Sequence, residues 1–532
     1  MKIMNTPSLV LLLVFGFCIS PAVAKDSEPP AVQFKNSCEA GVQAEFNEAV
    51  TLLHSFEYPE TSRRFQKIVE QDPDCAMAYW GGAMSLWHPL WAPPSVSELG
   101  RGADLLEMTQ SIEKTAREAA YVDALQAFFS STDVNTHLER ARAYEQKMKA
   151  LYRAHLDDPE AAIFYALSIL ATADPKDKSY AHQYKAAALL NWVGQRLPNH
   201  PGVLHYTIHS YDYPELAHLG LKAALRYADA APDSAHAQHM PSHIFTRLGM
   251  WERSLASNHD STRSAAEYTE RANLPGHYDE GLHSMDYLMY AMLQTARDVE
   301  AADLLGQLGE ITRSSPQNFK AAFTYASSPV RYALERRQWE EAKRLELKPD
   351  SFPWDQFPWA QAINSFGRGI GAARSGDLDT ARLALAELED FRDSLPADAL
   401  PYWKEQVHVQ TDIVQAWIWF SEDRSSDALE LMAEASARED AVDKHPVTPG
   451  EVLPARELYA DMLLADDQAQ RALEQYLLVL ESAPNRLNAM VGAAQASESL
   501  DQLDTAKAWY AKVREQTMNG NRERQGVARA WN

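Results

Sequence analysis

The stretch "LPARELYADMLLADDQAQRALEQYLLVLESAP", Leu453 to Pro484, sets small residues, large apolar residues and an aromatic at helical spacing. Its marked positions are Ala460, Leu463, Ala472, Tyr476, Val479 and the closing Pro484. Adding 34 to the first five gives Ala494, Ser497, Ala506, Tyr510 and Val513, the same pattern with a serine in place of the leucine. Such self-similarity at a fixed interval marks one helix pair used as a repeat. The alanines let helices approach closely, the tyrosine fills the gap between them, and the proline stops the second helix.

Working outward, Ala49, Leu52, Phe65, Ile68 and Pro73 fit the same template near the start, and Pro232 closes a further unit in "LKAALRYADAAPDS". Each helix pair carries an apolar face that it buries only by stacking on its neighbours. Strand signals are nearly absent, with apolar spacings of three and four almost throughout. The expected fold is all-α: a tetratricopeptide-type solenoid of about eleven or twelve helix pairs, coiled as a right-handed superhelix. "SFPWDQFPWAQ", Ser351 to Gln361, is too rich in proline and tryptophan to be helical throughout. It is the expected junction between an N-terminal array, residues 39–350, and a C-terminal array, residues 351–532.

Residues 1–24 have a positive start at Lys2, an apolar core from Leu9 to Ile19 and the pattern Ala22-Val23-Ala24, as a cleaved secretory signal does. Residues 25–38 then form a linker, and the expected location is a bacterial periplasm or the exterior. No later segment has eighteen uninterrupted apolar residues, so no membrane span is expected. The net charge of −24 argues against nucleic acid and anionic membranes as partners. Beyond the signal only Cys38 and Cys75 remain, each just before a helix, and export predicts a disulfide between them. Neither has a histidine nearby in sequence to make it a nucleophile.

Ten of the 17 histidines lie between His200 and His283. His205, His209 and Asp212 share one helical face, and His239 and His243 repeat the histidine pair after an interval of 34. His236 precedes the second pair, and "HYDEGLHSMDYLMYA" adds His277, Glu280, His283 and Asp286. The first helix of each repeat lines the concave side, so equal registers on successive first helices are neighbours. His205 and His209 are therefore expected to face His239 and His243, with His283, and with less support His236 or Asp286, closing the group. Imidazole without thiolate suits zinc, copper or iron. Asp212 and Asp286 are candidate ligands or acceptors that fix a tautomer, and His277 is a further candidate. Metal ligation, direct contact with a bound peptide or carboxylate, and a structural role all remain open. Pro241 adds either a kink inside this helix or a helix start.

Two weaker candidates accompany the cluster. "YWGGAMSLWHPLW", Tyr79 to Trp91, offers Trp80, Trp87 and His88 as pocket walls, with a hydrophobic plug as the plainer reading. "EDAVDKHPVTPGEVLPARELYADML", Glu439 to Leu463, reads as a salt-bridged connection through Glu439, Asp440, Asp443, Lys444, Arg456 and Glu457. No phosphate-cradling loop or dinucleotide fingerprint occurs, so no nucleotide cofactor is expected.

The stretches "HPGVLHYTIHSYDYPELA", "SAHAQHMPSHIFTRLGMW" and "HSMDYLMYAMLQ" resemble a family of exported bacterial tetratricopeptide-repeat proteins, mostly without assigned function. "YWGGAM", "HPVTPGEVLPARELYADML" and "PNRLNAMVGAAQ" share the resemblance. It implies the repeat fold and marks His205, His209, His236, His239, His243 and His283 as motif positions, but implies no reaction. Two functions follow from the residues. One is a binding protein holding a peptide, protein or small ligand in its concave groove beside a transition-metal site. The other is a metalloenzyme of hydrolase or oxidase type, with Glu280 as the candidate base.

Overall fold

The computed structural model describes residues 32–396, 399–442, 444–445 and 447–532. The expected signal segment, the first part of the linker and Asp443 lie outside the described residues. The deciding stretch folds as two helices, Ala455–Ala465 and Ala469–Ser482, and its copy as Leu487–Ser499 and Leu503–Gln516. Every size-matched position in both copies is buried. The aromatic acts as the template requires: a Cβ built on Gly492 would meet the Tyr476 ring at 2.2 Å. Gly81 stands in the same relation to Phe65, again 16 positions on. Close packing of a ring on a glycine is thus a repeat feature at both ends of the chain.

One backbone device turns eight of the hairpins. Phe56, Gly249, Ala296, Arg337, Gly376, Asp423, Asp467 and Asp501 each hold a left-handed φ between two helices. The next residue returns its N–H to a carbonyl five positions back, as Glu57 does to Leu52 at 3.1 Å and Gln468 to Leu463 at 2.9 Å. This satisfies carbonyls that the helix end leaves free. Gly249 is required twice over, since a Cβ there would also lie 2.1 Å from the Pro484 carbonyl oxygen.

Among the described residues the only strands are His277–Tyr278 and Ser314–Ser315, a two-residue parallel bridge. The expected all-α architecture of stacked helix hairpins is what the chain adopts. Cys38 and Cys75 are joined by a disulfide, their Cα atoms 4.6 Å apart. No helix of the described residues is long and apolar enough to cross a membrane.

One apolar core runs from Val32 to Tyr206 and a smaller one from Tyr180 to Phe245. A third runs from Trp251 to Ala496, passing through residues 351–361, where Trp354–Gln356 is a short 3-10 turn and Pro358–Ser375 a full helix. The last hairpins dock back onto the middle of the chain. Trp251 donates to the Asn485 carbonyl at 2.9 Å, and the buried Arg486 pairs with Glu335 at 2.7 Å and Glu457 at 2.6 Å.

Candidate metal centre

The clustered histidines stand on the first helices of three successive hairpins. Pro201–Tyr211 carries His205 and His209, and Asp279–Gln294 carries His283. The middle helix is broken: Ala235–His239 ends at Met240 and a new helix, Pro241–Arg247, begins. Proline has no N–H to continue the ladder but fits the first position of a helix. Upstream, Ser234 caps the short segment by accepting from Ala237 N–H at 3.0 Å. Glu57 steadies that cap, accepting from Ser234 Oγ at 2.7 Å and His236 N–H at 3.2 Å.

The break divides the histidines. His205 Nε2 lies 3.0 Å from His209 Nε2 and 3.1 Å from His236 Nε2. His239 Nε2 lies 3.0 Å from His243 Nε2, and the His283 ring stands 4.2 Å from that of His239. In each triad, one ring nitrogen per histidine lies within 4.8 Å of the other two. The triads adjoin, with His209 and His243, and His236 and His239, at ring separations of 6.4 Å. The expected single group, with one histidine pair facing the other, is therefore corrected to two triads. His236, upstream of the break, joins the first pair instead of its own sequence neighbours.

In four of the six histidines the second ring nitrogen is committed elsewhere. His205 Nδ1 bonds the His54 carbonyl at 2.6 Å, and a carbonyl only accepts, so this nitrogen carries the proton. His243 Nδ1 donates to Asp212 at 2.8 Å. His239 Nδ1 donates at 2.6 Å to Asn258 Oδ1, whose own amide is turned to the Ser254 carbonyl. His236 Nδ1 faces Glu280 at 3.1 Å. With those protons on Nδ1, each facing Nε2 presents a lone pair. Burial, and then neighbouring histidines, holds His205, His239 and His283 well below the usual imidazole range. His243 falls to about 4, since burial outweighs the opposing pull of Asp212. His205, His209, His239, His243 and His283 are neutral at pH 7.

Aromatic rings wall the pair of triads. Phe56 lies 4.4 Å from His205 and 5.7 Å from His209, and Trp91 lies 5.3 Å from His209. Tyr287 stacks on His243 at 4.8 Å. The C-terminal part of the chain closes over this side: Lys444 bonds Asp212 at 3.0 Å, and Tyr287 donates to the Thr448 carbonyl at 3.1 Å. Sequence reasoning missed Phe56, Trp91, Asn258, Tyr287 and Thr448, and took Lys444 only as part of a connection. One signal was available, because Tyr287 follows His283 by four positions, the spacing of both histidine pairs.

Other candidates fall elsewhere. Asp286 is bound to Arg331 at 2.5 Å and Ser327 at 2.9 Å, in neither triad. His277 lies in the two-residue strand, its Nε2 close beneath Gly281, and is also in neither. Asp212 accepts from His243, Arg247 and Lys444, so both its oxygens are occupied by orienting contacts. Glu280 is bound by Lys320 as well as His236. Burial alone would raise its pKa, but Lys320 and His236 hold it well below the usual carboxylate range, which removes the basicity expected of a catalytic base. Trp80 and Trp87 are fully buried core, packed on Tyr121 and Phe164 and on Phe128 and Tyr144, as the plug reading expects. His88 stacks on Tyr58 at 4.1 Å, and Tyr58 on Phe56, one ring removed from His205.

No family model and no curated protein matches this chain. Solved structures do. The TPR domain of P58(IPK) matches at 13% identity over 87% of this chain and 99% of its own, with a TM-score of 0.21. A monomeric IFIT1 mutant with m7Gppp-AAAA matches at 11% identity over 90% and 95%, with a TM-score of 0.31. Naa15/Naa10 bound to HypK-THB matches at 14% identity over 92% and 79%, with a TM-score of 0.22. Overlays this loose say nothing of function, which has to be read from the residues.

Proposed function

We propose that the chain is a metalloprotein whose six clustered histidines bind two transition-metal ions, one in each triad. The observation that carries this reading is the pair of facing nitrogens in both triads. His205 and His236, and likewise His239 and His243, bring Nε2 atoms to 3.0–3.1 Å while acceptors occupy their Nδ1 atoms. Two lone pairs at that distance repel, and a shared cation turns the repulsion into ligation. Nδ1–H bonds to carboxylate, amide and backbone oxygen are also how metal-bound histidines are oriented. Three protein ligands leave a position open on the ion, which suits the binding or conversion of a small molecule better than a structural role.

Elemental analysis of untagged protein from its native compartment should find about two equivalents of a transition metal. His209→Ala and His283→Ala should each reduce this to about one while leaving the helical array folded, because its stability comes from stacking. A folded, metal-free protein that takes up no added copper, zinc or iron would overturn the proposal. An exported location is supported by the Cys38–Cys75 disulfide, a bond kept in oxidising compartments.

A further inference from the structure

Resting on the two-metal reading, we infer that both ions are copper and that the pair binds dioxygen between them. The first ground is the donor set. Every atom offered inward is an imidazole nitrogen, with no carboxylate or thiolate in either triad. The nearby carboxylates are turned away: Asp212 holds His243, Arg247 and Lys444, and Glu280 holds His236 and Lys320. Paired iron and manganese sites in helical proteins draw on Glu ligands as well as histidine. Copper tops the affinity order for nitrogen sites and accepts imidazole in both of its oxidation states.

Charge points the same way. The Asp212 carboxylate is already matched by Arg247 and Lys444, while Asp279 and Glu280 share Lys320. Little negative charge is left to offset metal ions in a buried site, where uncompensated charge is costly. Two divalent ions would add four positive charges, and two copper(I) ions add two.

Dioxygen fits the remaining space and the electron count. The triads adjoin at 6.4 Å between rings, within walls formed by Phe56, Trp91 and Tyr287. Each copper(I) gives one electron to a single dioxygen molecule. The O–O π bond is lost, the σ bond remains, and a peroxide dianion sits between two copper(II) ions. The two negative charges gained by oxygen equal the two positive charges gained by copper, so the site's net charge is unchanged. No proton and no further reactant is needed, and release of dioxygen is the reverse step.

The test is to load the metal-free full chain with two equivalents of copper(I) under anaerobic conditions and then admit oxygen. Expected are uptake of one dioxygen per two coppers, a new near-ultraviolet absorption and almost no copper(II) paramagnetic resonance signal, because coupled spins cancel. His283→Ala, checked for folding by circular dichroism, should bind one copper, take up no bridging oxygen and give a full resonance signal after oxidation. If the wild-type chain binds two coppers but shows no oxygen uptake, or gives two full uncoupled signals, the dioxygen inference fails and the two-metal reading stands. If no copper binds, the copper inference fails, and the two-metal reading fails with it only if zinc and iron are not taken up either.

Discussion

Two buried histidine clusters lie within one stretch of this chain and have opposite logic. In the first, His54 and His200 both point Nε2 at Glu160, at 2.8 and 3.0 Å, and the carboxylate sits between the rings as the shared acceptor. His54 Nδ1 meets the Tyr206 hydroxyl at 3.0 Å. That cluster already contains its own anion, and each ring nitrogen that faces inward meets that anion instead of another nitrogen. In the second, the acceptors Asp212, Asn258, Glu280 and the His54 carbonyl lie behind the rings, and nitrogen faces nitrogen in front. Density of histidines does not separate the two. The side of the ring on which the acceptor stands does.

The largest effect expected from this contrast is Glu160→Ala, which leaves two buried N–H groups without an acceptor. It should cost about 3–5 kcal/mol in denaturant unfolding, the range for breaking a buried ionic pairing. Metal stoichiometry should stay at the wild-type value. A variant that kept its stability but lost metal would erase the distinction drawn between the clusters.

Acid comes next. His205, His209, His239, His243 and His283 have folded pKa values below the unfolded value of 6.5, so the unfolded chain binds more protons once pH falls under that value. Stability of the metal-free protein is therefore full above pH 6.5 and lost progressively below it. His243 alone, falling to about 4, accounts for roughly 3 kcal/mol by pH 4. Glu160 has the opposite sign, and its pairing persists below its ordinary value of 4.5. Between pH 6.5 and 4.5 the loss thus comes from neutral histidines, and bound metal should shift it to lower pH. Urea midpoints measured with and without copper across that window check this; identical curves would count against ligation.

Smaller effects separate the two triads. Asp212→Asn should weaken metal binding about 10- to 100-fold, as loss of an orienting partner does. Asn258→Ala should act in the same direction at the lower end of that range. Competition titration with a chelator should place both losses in the triad of His239, His243 and His283, leaving the other equivalent tightly bound. Equal weakening of both equivalents would mean that the triads do not act as separate sites.

The helix pairs were legible because size matching at Ala460, Tyr476 and their copies reflects a contact each repeat must make. Their corners were not, because Asp, Arg, Ala and Phe hold the left-handed position in six of eight hairpins where glycine is the expected marker. The histidine register of 34 placed His205, His209, His239 and His243 on successive first helices. Their partition escaped a sequence reading because it turns on the helix break at Met240, which turns His236 towards the preceding histidine helix. Trp80 and Trp87 left both readings open for a plain reason: a tryptophan in a wall and a tryptophan in a core look alike until neighbours such as Phe164 and Phe128 are placed. The Lys444 and Thr448 contacts join distant parts of the chain, and no local pattern announces them.

Those last contacts bear on timing. Asp212 and Lys444 are 232 positions apart, so the clamp behind His243 cannot close until most of the chain has been made. A chain stopped at residue 440 would carry all six histidines and neither clamp contact. The histidine pairs emerge early and stay loosely held until the later hairpins fold back over them. On the two-metal reading, firm metal retention would then record that the whole array has been completed, and nicked or truncated chains would give up their metal first.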